Sequence, residues 1–168
     1  MKSIKTDRLL LLPATTRPDT IEKVVNWLND PAVVRYSEQR HHAHTPESQR
    51  AYVLEMLYPN KYMEIWHDNE LVGTVSAHID EHNQVANLGI LIGKEHWRKG
   101  YGLEAWEGFS NYLLKNGIRK IEAGAMEFNT GMIKIFEKSG MQPEAALLNH
   151  FLLNGRAIDM LQYARYTR

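Results

Sequence analysis

One stretch constrains this chain more than any other: Leu88-Gly89-Ile90-Leu91-Ile92-Gly93-Lys94-Glu95-His96-Trp97-Arg98-Lys99-Gly100-Tyr101-Gly102-Leu103-Glu104-Ala105-Trp106. An apolar strand runs into a basic, glycine-containing loop, and the loop opens a helix. The first turn of a helix carries unpaired N–H groups and a partial positive charge. Glycines let backbone come close to a ligand, and Arg98 and Lys99 add charge, so phosphate or pyrophosphate is the expected guest. Two common phosphate loops are absent. There is no Gly-x-x-x-x-Gly-Lys-Ser/Thr, and Ala105 stands where Gly-x-Gly-x-x-Gly needs its third glycine. A bare Gly-x-Gly also fits an ordinary strand–turn–helix. The adjacent Arg-Lys pair and the setting between strand and helix favour the anion site.

The flanking sequence reads as alternating elements. Residues 4–12 form a first strand stopped by Pro13. Ile21, Val24, Val25 and Leu28 share one helical face, which ends before Asn29-Asp30-Pro31. Thr45-Pro46 caps a second helix, continued by Val53, Met56 and Leu57 and ended by Pro59. Residues 62–67 and 71–79 are strands joined at Asp68-Asn69-Glu70, and Val85–Ile92 follows a polar turn. Residues 102–116 form a helix with Leu103, Trp106, Phe109 and Leu113 on one face and Gly117 as its stop. Ile121, Ala123 and Ala125 alternate as in a strand. Asn129 caps a helix bearing Met132, Ile133 and Phe136, closed by Gly140. Asn154-Gly155 joins strands 150–153 and 157–163. The order β, α, α, β, β, β, α, β, α, β, β gives a mixed α/β domain with one central parallel step.

Composition narrows the function. The 168 residues suit one domain, 1–168, and 43% apolar with 24% charged residues is globular composition. Twenty Lys and Arg balance twenty Asp and Glu, giving no electrostatic reason to expect nucleic acid or an anionic membrane as partner. With no cysteine, disulfides, thiolate nucleophiles and Cys-held metals are excluded, and the cytoplasm is the expected compartment. No signal-peptide core or membrane-length apolar run is present.

The central stretch resembles the acetyl-CoA signature of the GNAT superfamily of N-acetyltransferases, Gln/Arg-x-x-Gly-x-Gly/Ala. Gly100-Tyr101-Gly102 fit its glycines, and Trp97 stands where Gln or Arg is usual. The run 100–105 is similar to that of the branch resembling ribosomal-protein-alanine, or protein N-terminal, acetyltransferases. Thr6-Asp7-Arg8-Leu9-Leu10-Leu11 and Leu28-Asn29-Asp30-Pro31 look like the same branch. Asn129 followed by Phe136-Glu137-Lys138-Ser139-Gly140-Met141 resembles the family's second CoA motif. The resemblance implies a GNAT-like, mostly antiparallel sheet of about six to seven strands, a central splayed parallel pair and helices on both faces. It implies an acyltransferase that uses acetyl-CoA as co-substrate and no metal. Backbone at Ile90, Leu91 and Ile92 would pair with the pantetheine arm. The loop Arg98, Lys99, Gly100, Tyr101, Gly102 and Leu103 would cradle the pyrophosphate, with Asn129 and Phe136 completing the cofactor site. A primary amine would attack the thioester directly.

The family's usual proton carriers are missing. Phe136 and Met132 replace the hydroxyl-bearing acid, and Asn87 stands where an acidic residue is common. His78 and Glu38 are the candidate bases. If Ile79 pairs with Val85, His78 faces Ala86 and points away from Asn87. The resemblance implies an acceptor site in the polar run 35–45, at Tyr36, Glu38, Arg40, His41 and His44, with Asn87 beside it. A solvated loop is the bland alternative. The expected acceptor is a protein or peptide N-terminus, or a small amine such as an aminosugar or polyamine. A second copy of the chain is a further candidate partner. The rival reading is a CoA-binding module without catalysis.

Overall fold

The computed structural model describes residues 2–167. One eight-stranded sheet has the order β1-β2-β3-β4-β5-β6-β8-β7. It divides two helical layers.

The chain begins with a correction to the sequence reading. Residues 4–12 are not one strand but β1 (Ile4–Lys5) and β2 (Leu10–Pro13), paired antiparallel. The Thr6 amide donates to the Leu9 carbonyl at 2.9 Å, closing a tight turn between them. That turn places Arg8 away from the sheet, where it later matters. Together with the other strands it brings the count to eight, above the six to seven expected.

The helices α1 (Pro18–Leu28) and α2 (Pro46–Glu55) both start with Pro, whose missing N–H costs nothing in the first turn. Thr45 and Ser48 cap α2 reciprocally, with bonds of 3.0 and 3.1 Å. α2 ends at Glu55, a turn before Pro59. Ile21 and Val25 of α1 and Val53 of α2 bury against Tyr62, while Val24 and Trp27 pack on Leu71.

β3 (Lys61–His67) and β4 (Glu70–Asp80) form a hairpin. Asp68 and Asn69 both adopt positive φ, +46° and +64°, as a two-residue turn of the sheet's hand requires. β5 (Val85–Ile92) returns antiparallel to β4. α3 (Tyr101–Lys115) then crosses over to β6 (Lys120–Met126), which runs parallel to β5. Trp106, Phe109 and Leu113 of α3 are fully buried against the sheet, with Phe136 of α4 (Thr130–Lys138) beside them. Truncating Phe109 to Ala in such a core costs about 3–5 kcal/mol.

The last hairpin is longer than the sequence indicates. β7 spans Gln142–Leu153 and β8 spans Arg156–Tyr166, joined by Asn154 and Gly155, both at positive φ. Two register shifts bend β7, one between Pro143 and Ala145 and one between Leu147 and Phe151. Bulges interrupt alternation, so residues 142–149 lack a period-2 signal.

Candidate active site

The site begins where two parallel strands part. β5 and β6 pair over only three positions, Val85 with Lys120, Ala86 with Ile121 and Asn87 with Glu122. Beyond Asn87, β5 continues to Ile92 without β6 beside it. Two hydrogen bonds fix which way its backbone faces. The Gly93 amide donates to Val72 in β4 at 3.0 Å, and the Gln84 carbonyl accepts from Arg119, just before β6, at 2.9 Å. Backbone direction alternates along a strand. Leu88, Ile90 and Ile92 therefore turn their amides and carbonyls into the gap. Leu91 turns to Thr74 in β4 instead, and its side chain packs with the Trp27 cluster. Of the residues expected to pair with pantetheine, Ile90 and Ile92 turn their backbone to the gap and Leu91 does not, whereas Leu88 also faces it. The Ile92 carbonyl is already occupied, accepting the Trp97 indole N–H at 2.8 Å.

The loop after β5 turns back sharply. Arg98 and Gly100 adopt φ of +62° and +78°, so the chain reverses into α3 at Tyr101. Among the described residues, no side chain caps this helix start, which leaves its first-turn amides free for an anion. Gly102 is closely packed: a Cβ there would lie 3.1 Å from Ile135 Cδ1. Arg98, Lys99 and Gly100 are exposed, Gly102 and Leu103 are half-buried, and Tyr101 is buried. Tyr101 stacks with His67 at 5.1 Å and lies under the Arg8 guanidinium at 4.9 Å.

Arg8 was not evident from sequence as a site residue. Its Nη1 donates to the Lys99 carbonyl at 2.7 Å, and its Nε to Glu104 Oε2 at 2.7 Å. Burial pushes the Glu104 carboxyl up. Hydrogen bonds from Thr6 and from the Arg8 amide and guanidinium outweigh this and hold it below the usual carboxylate range.

Two cavities flank β5. One, of about 260 Å³, occupies the gap and is lined by Tyr36, Ser37 and Glu38 on one side and by Gly124, Asn129 and Phe136 among others. Asn129 also caps α4, its Oδ1 accepting from the Met132 amide at 3.2 Å. Phe136 is buried between Trp106 and Tyr163. The second cavity, of about 570 Å³, lies on the α1–α2 side of the sheet. Ser37, Gly89 and Ile90 line both, so the two meet at the middle of β5.

The floor of the larger cavity was missed in the sequence. Gln49 Nε2 donates to the Tyr62 hydroxyl at 2.9 Å, and Tyr52 meets Tyr62 edge-on at 5.1 Å. Burial pushes the Tyr62 hydroxyl up to about 12, and burial also raises Tyr52, so both stay neutral. Thr74 and Ser76 complete a neutral polar surface. Among the described lining residues, Glu55 is the one carboxylate and neither Lys nor Arg occurs. α2 shows no strong apolar stripe, and no motif marks these positions.

The sequence-predicted acceptor residues separate. Tyr36 and Glu38 line the gap, and His44 lines the larger cavity. His41 Nε2 lies 3.1 Å from Glu38, and His44 Nε2 lies 3.2 Å from the Gln39 carbonyl. Arg40 is turned inward onto backbone carbonyls and does not point into either cavity. The expected β4–β5 register is corrected by one residue. His78 pairs with Asn87, and Ile79 with Ala86, so His78 and Asn87 share one face. Both line a separate polar groove with Lys120 and Glu122. Among the described residues, no group of three or more His, Asp and Glu is arranged to hold a metal ion. None of the described helices is long and apolar enough to cross a membrane.

The Acetyltransferase (GNAT) domain model matches residues 8–142. The uncharacterized N-acetyltransferase p20 of Bacillus licheniformis is 26% identical, covering 100% of this chain and 98% of that protein. The fold is similar to that of the ribosomal L7/L12 alpha-N-protein acetyltransferase RimL in complex with coenzyme A, with a TM-score of 0.87 and 18% identity over 98% of both chains. It is also similar to spermidine N-acetyltransferase from Vibrio cholerae in complex with CoA and spermine, with a TM-score of 0.84 and 18% identity over 95% of both chains.

Proposed function

The chain belongs to the GNAT acetyltransferase family, and on that premise we propose that it moves an acetyl group from acetyl-CoA to a primary amine. The observation that carries this reading is the meeting of two cavities at the exposed edge of β5. One can take a thioester from the α3 side, and the other an amine from the α1–α2 side.

The residues present fit the donor. The gap-facing backbone of Leu88 and Ile90 would pair with pantetheine amides as an added strand does. The turn Arg98–Gly100 and the uncapped start of α3 would hold the pyrophosphate, braced by Arg8. Asn129 and Phe136 would bound the arm at the far wall. Acetyl-CoA supplies an activated thioester whose carbonyl the amine attacks. A β5 backbone N–H aimed at that carbonyl would stabilise the developing oxyanion. Glu38 is the proposed proton acceptor for the ammonium, since it lines the gap; His78, in the neighbouring groove, is the alternative. Tyr36 brings a phenol to the same cavity and would protonate the leaving thiolate, a task Phe136 cannot perform.

The acceptor follows from the floor of the larger cavity. One carboxylate, the His42 and His44 imidazoles and several neutral hydroxyl and amide groups suit a single ammonium on a polar, uncharged body. A peptide N-terminus or a hydroxylated small amine meets that description better than a polyamine, which needs several carboxylates, or a phosphorylated sugar, which needs cations. The protein is proposed to work as one domain in the cytoplasm. Sedimentation of the purified chain decides whether it works as a homodimer.

The test is thiol release from acetyl-CoA with Ser-initiated peptides, glucosamine and spermidine. Turnover of a peptide or of glucosamine is expected. Tight acetyl-CoA binding without turnover of any amine would favour a non-catalytic CoA-binding module.

A further inference from the structure

Arg40 joins two walls of the gap. Its Nη1 donates to the Ser37 carbonyl at 2.8 Å, and its Nη2 donates to the Leu152 carbonyl at 2.8 Å, across 112 residues of chain. Glu38 Oε1 lies 3.4 Å from the same Nη1. The side chain is only 16% exposed, and both of its terminal nitrogens donate within the protein. Ser37 sits in the Tyr36–Ser37–Glu38 wall of the gap cavity. Leu152 follows Phe151, which lines the same cavity from the β7–β8 hairpin. The far end of the loop is held separately, since Asn29 exchanges bonds of 2.8 and 2.9 Å with the backbone of His44.

We propose that Arg40 is a positioning residue: by bridging the Ser37 and Leu152 carbonyls it fixes the wall that carries Tyr36 and Glu38 over the thioester, without touching the acceptor itself. The inference rests on the acetyl transfer proposed above. A planar guanidinium can donate to two separate carbonyls at once, whereas an ammonium is a point charge on a flexible stem. Lys at this position therefore keeps the charge and loses the bridge. Misplacing a catalytic wall by about 1 Å can cost about 10²-fold in rate.

The experiment compares wild type, Arg40→Lys and Arg40→Ala. Hydrogen–deuterium exchange is expected to speed up at residues 36–42 and 148–154 in both variants and to stay unchanged in β5 and α3. Calorimetry is expected to give an acetyl-CoA Kd within about twofold of wild type, since the Arg98–Gly100 turn, the start of α3 and the β5 edge, proposed to hold most of the donor, lie outside this wall. With whichever of a Ser-Ala-Phe amide, glucosamine and spermidine turns over fastest, kcat/KM for the amine should fall about 10- to 100-fold in both variants. Rescue by Lys would overturn the proposal, because charge alone would then suffice. Unchanged exchange would overturn it as well, and so would a parallel loss of acetyl-CoA affinity. If Arg40→Ala does not fold, Arg40→Lys carries the test alone. If wild type binds acetyl-CoA and acetylates none of the three amines, the proposed activity fails, and exchange alone decides the bridge.

Discussion

The Arg8 guanidinium and the Glu104 carboxylate meet at 2.7 Å, joining the turn after β1 to the first turn of α3. Arg8 also holds the Lys99 carbonyl, so one side chain braces both sides of the proposed phosphate loop. With Arg8 half-exposed, an ion pair of this kind contributes about 1 kcal/mol or less. Arg8→Ala should weaken acetyl-CoA binding severalfold by loosening the loop, read by calorimetry. The pair also sets an acid limit. The Glu104 carboxyl lies below its ordinary value in the folded state, so the unfolded chain binds the proton more readily. The bond's stability is complete above about pH 4.5 and is lost as pH falls through the folded value. Glu104→Gln should flatten that part of a melting-temperature profile.

Glu38 and His78 compete for the role of base, and the cavities separate them. Glu38 lines the gap, while His78 lies opposite Asn87 in a different groove. Glu38→Gln should lower kcat by about 10²-fold, with a smaller effect from His78→Ala. Tyr36→Phe should slow the reaction with acetyl-CoA while leaving its affinity intact. Steady-state kinetics with paired calorimetry would read all three.

His96 is buried, and its Nε2 finds no hydrogen-bond partner among the described residues. Burial pushes its imidazole below the ordinary value; Glu95 and Glu70 partly offset this, while Lys23 and Lys99 add to it. The unfolded state then takes up a proton first as pH falls. Stability should be full above about pH 6.5 and decline below it until the folded imidazole also titrates. His96→Phe should remove that slope below about pH 6.5 in thermal melts.

Local chemistry made most of the fold legible. The Ile21–Leu28 face, the Thr45-Pro46 cap, Asn154-Gly155 and the 85–92 strand each announce their element through a nearby cause. The register of β4 against β5 was not legible. Asp80 closes their turn by accepting from both the backbone and the side chain of Asn83, at 3.0 and 2.7 Å. That leaves four residues, 81–84, in the connection and pairs Asp80 with Val85. A one-residue change in such a turn moves His78 onto the face of Asn87. The proposed donor loop was visible because its glycines and cations are consecutive. The proposed acceptor floor was not, since Gln49, Tyr62 and Ser76 come from three elements. Neither was the Arg40–Leu152 bridge, whose partner is a backbone carbonyl and leaves no residue-type signal.

The central claim is that the gap beside β5 and the turn into α3 hold acetyl-CoA. Calorimetric titration of wild type and Gly102→Arg with acetyl-CoA tests it most directly. Gly102 lies in the first turn of α3, where a Cβ would meet Ile135 and Ile92, so an Arg side chain there would crowd the proposed pyrophosphate site. One saturable site per chain in wild type and none in a folded variant is the predicted result. Equal binding by both proteins, or no binding by wild type, would contradict the account.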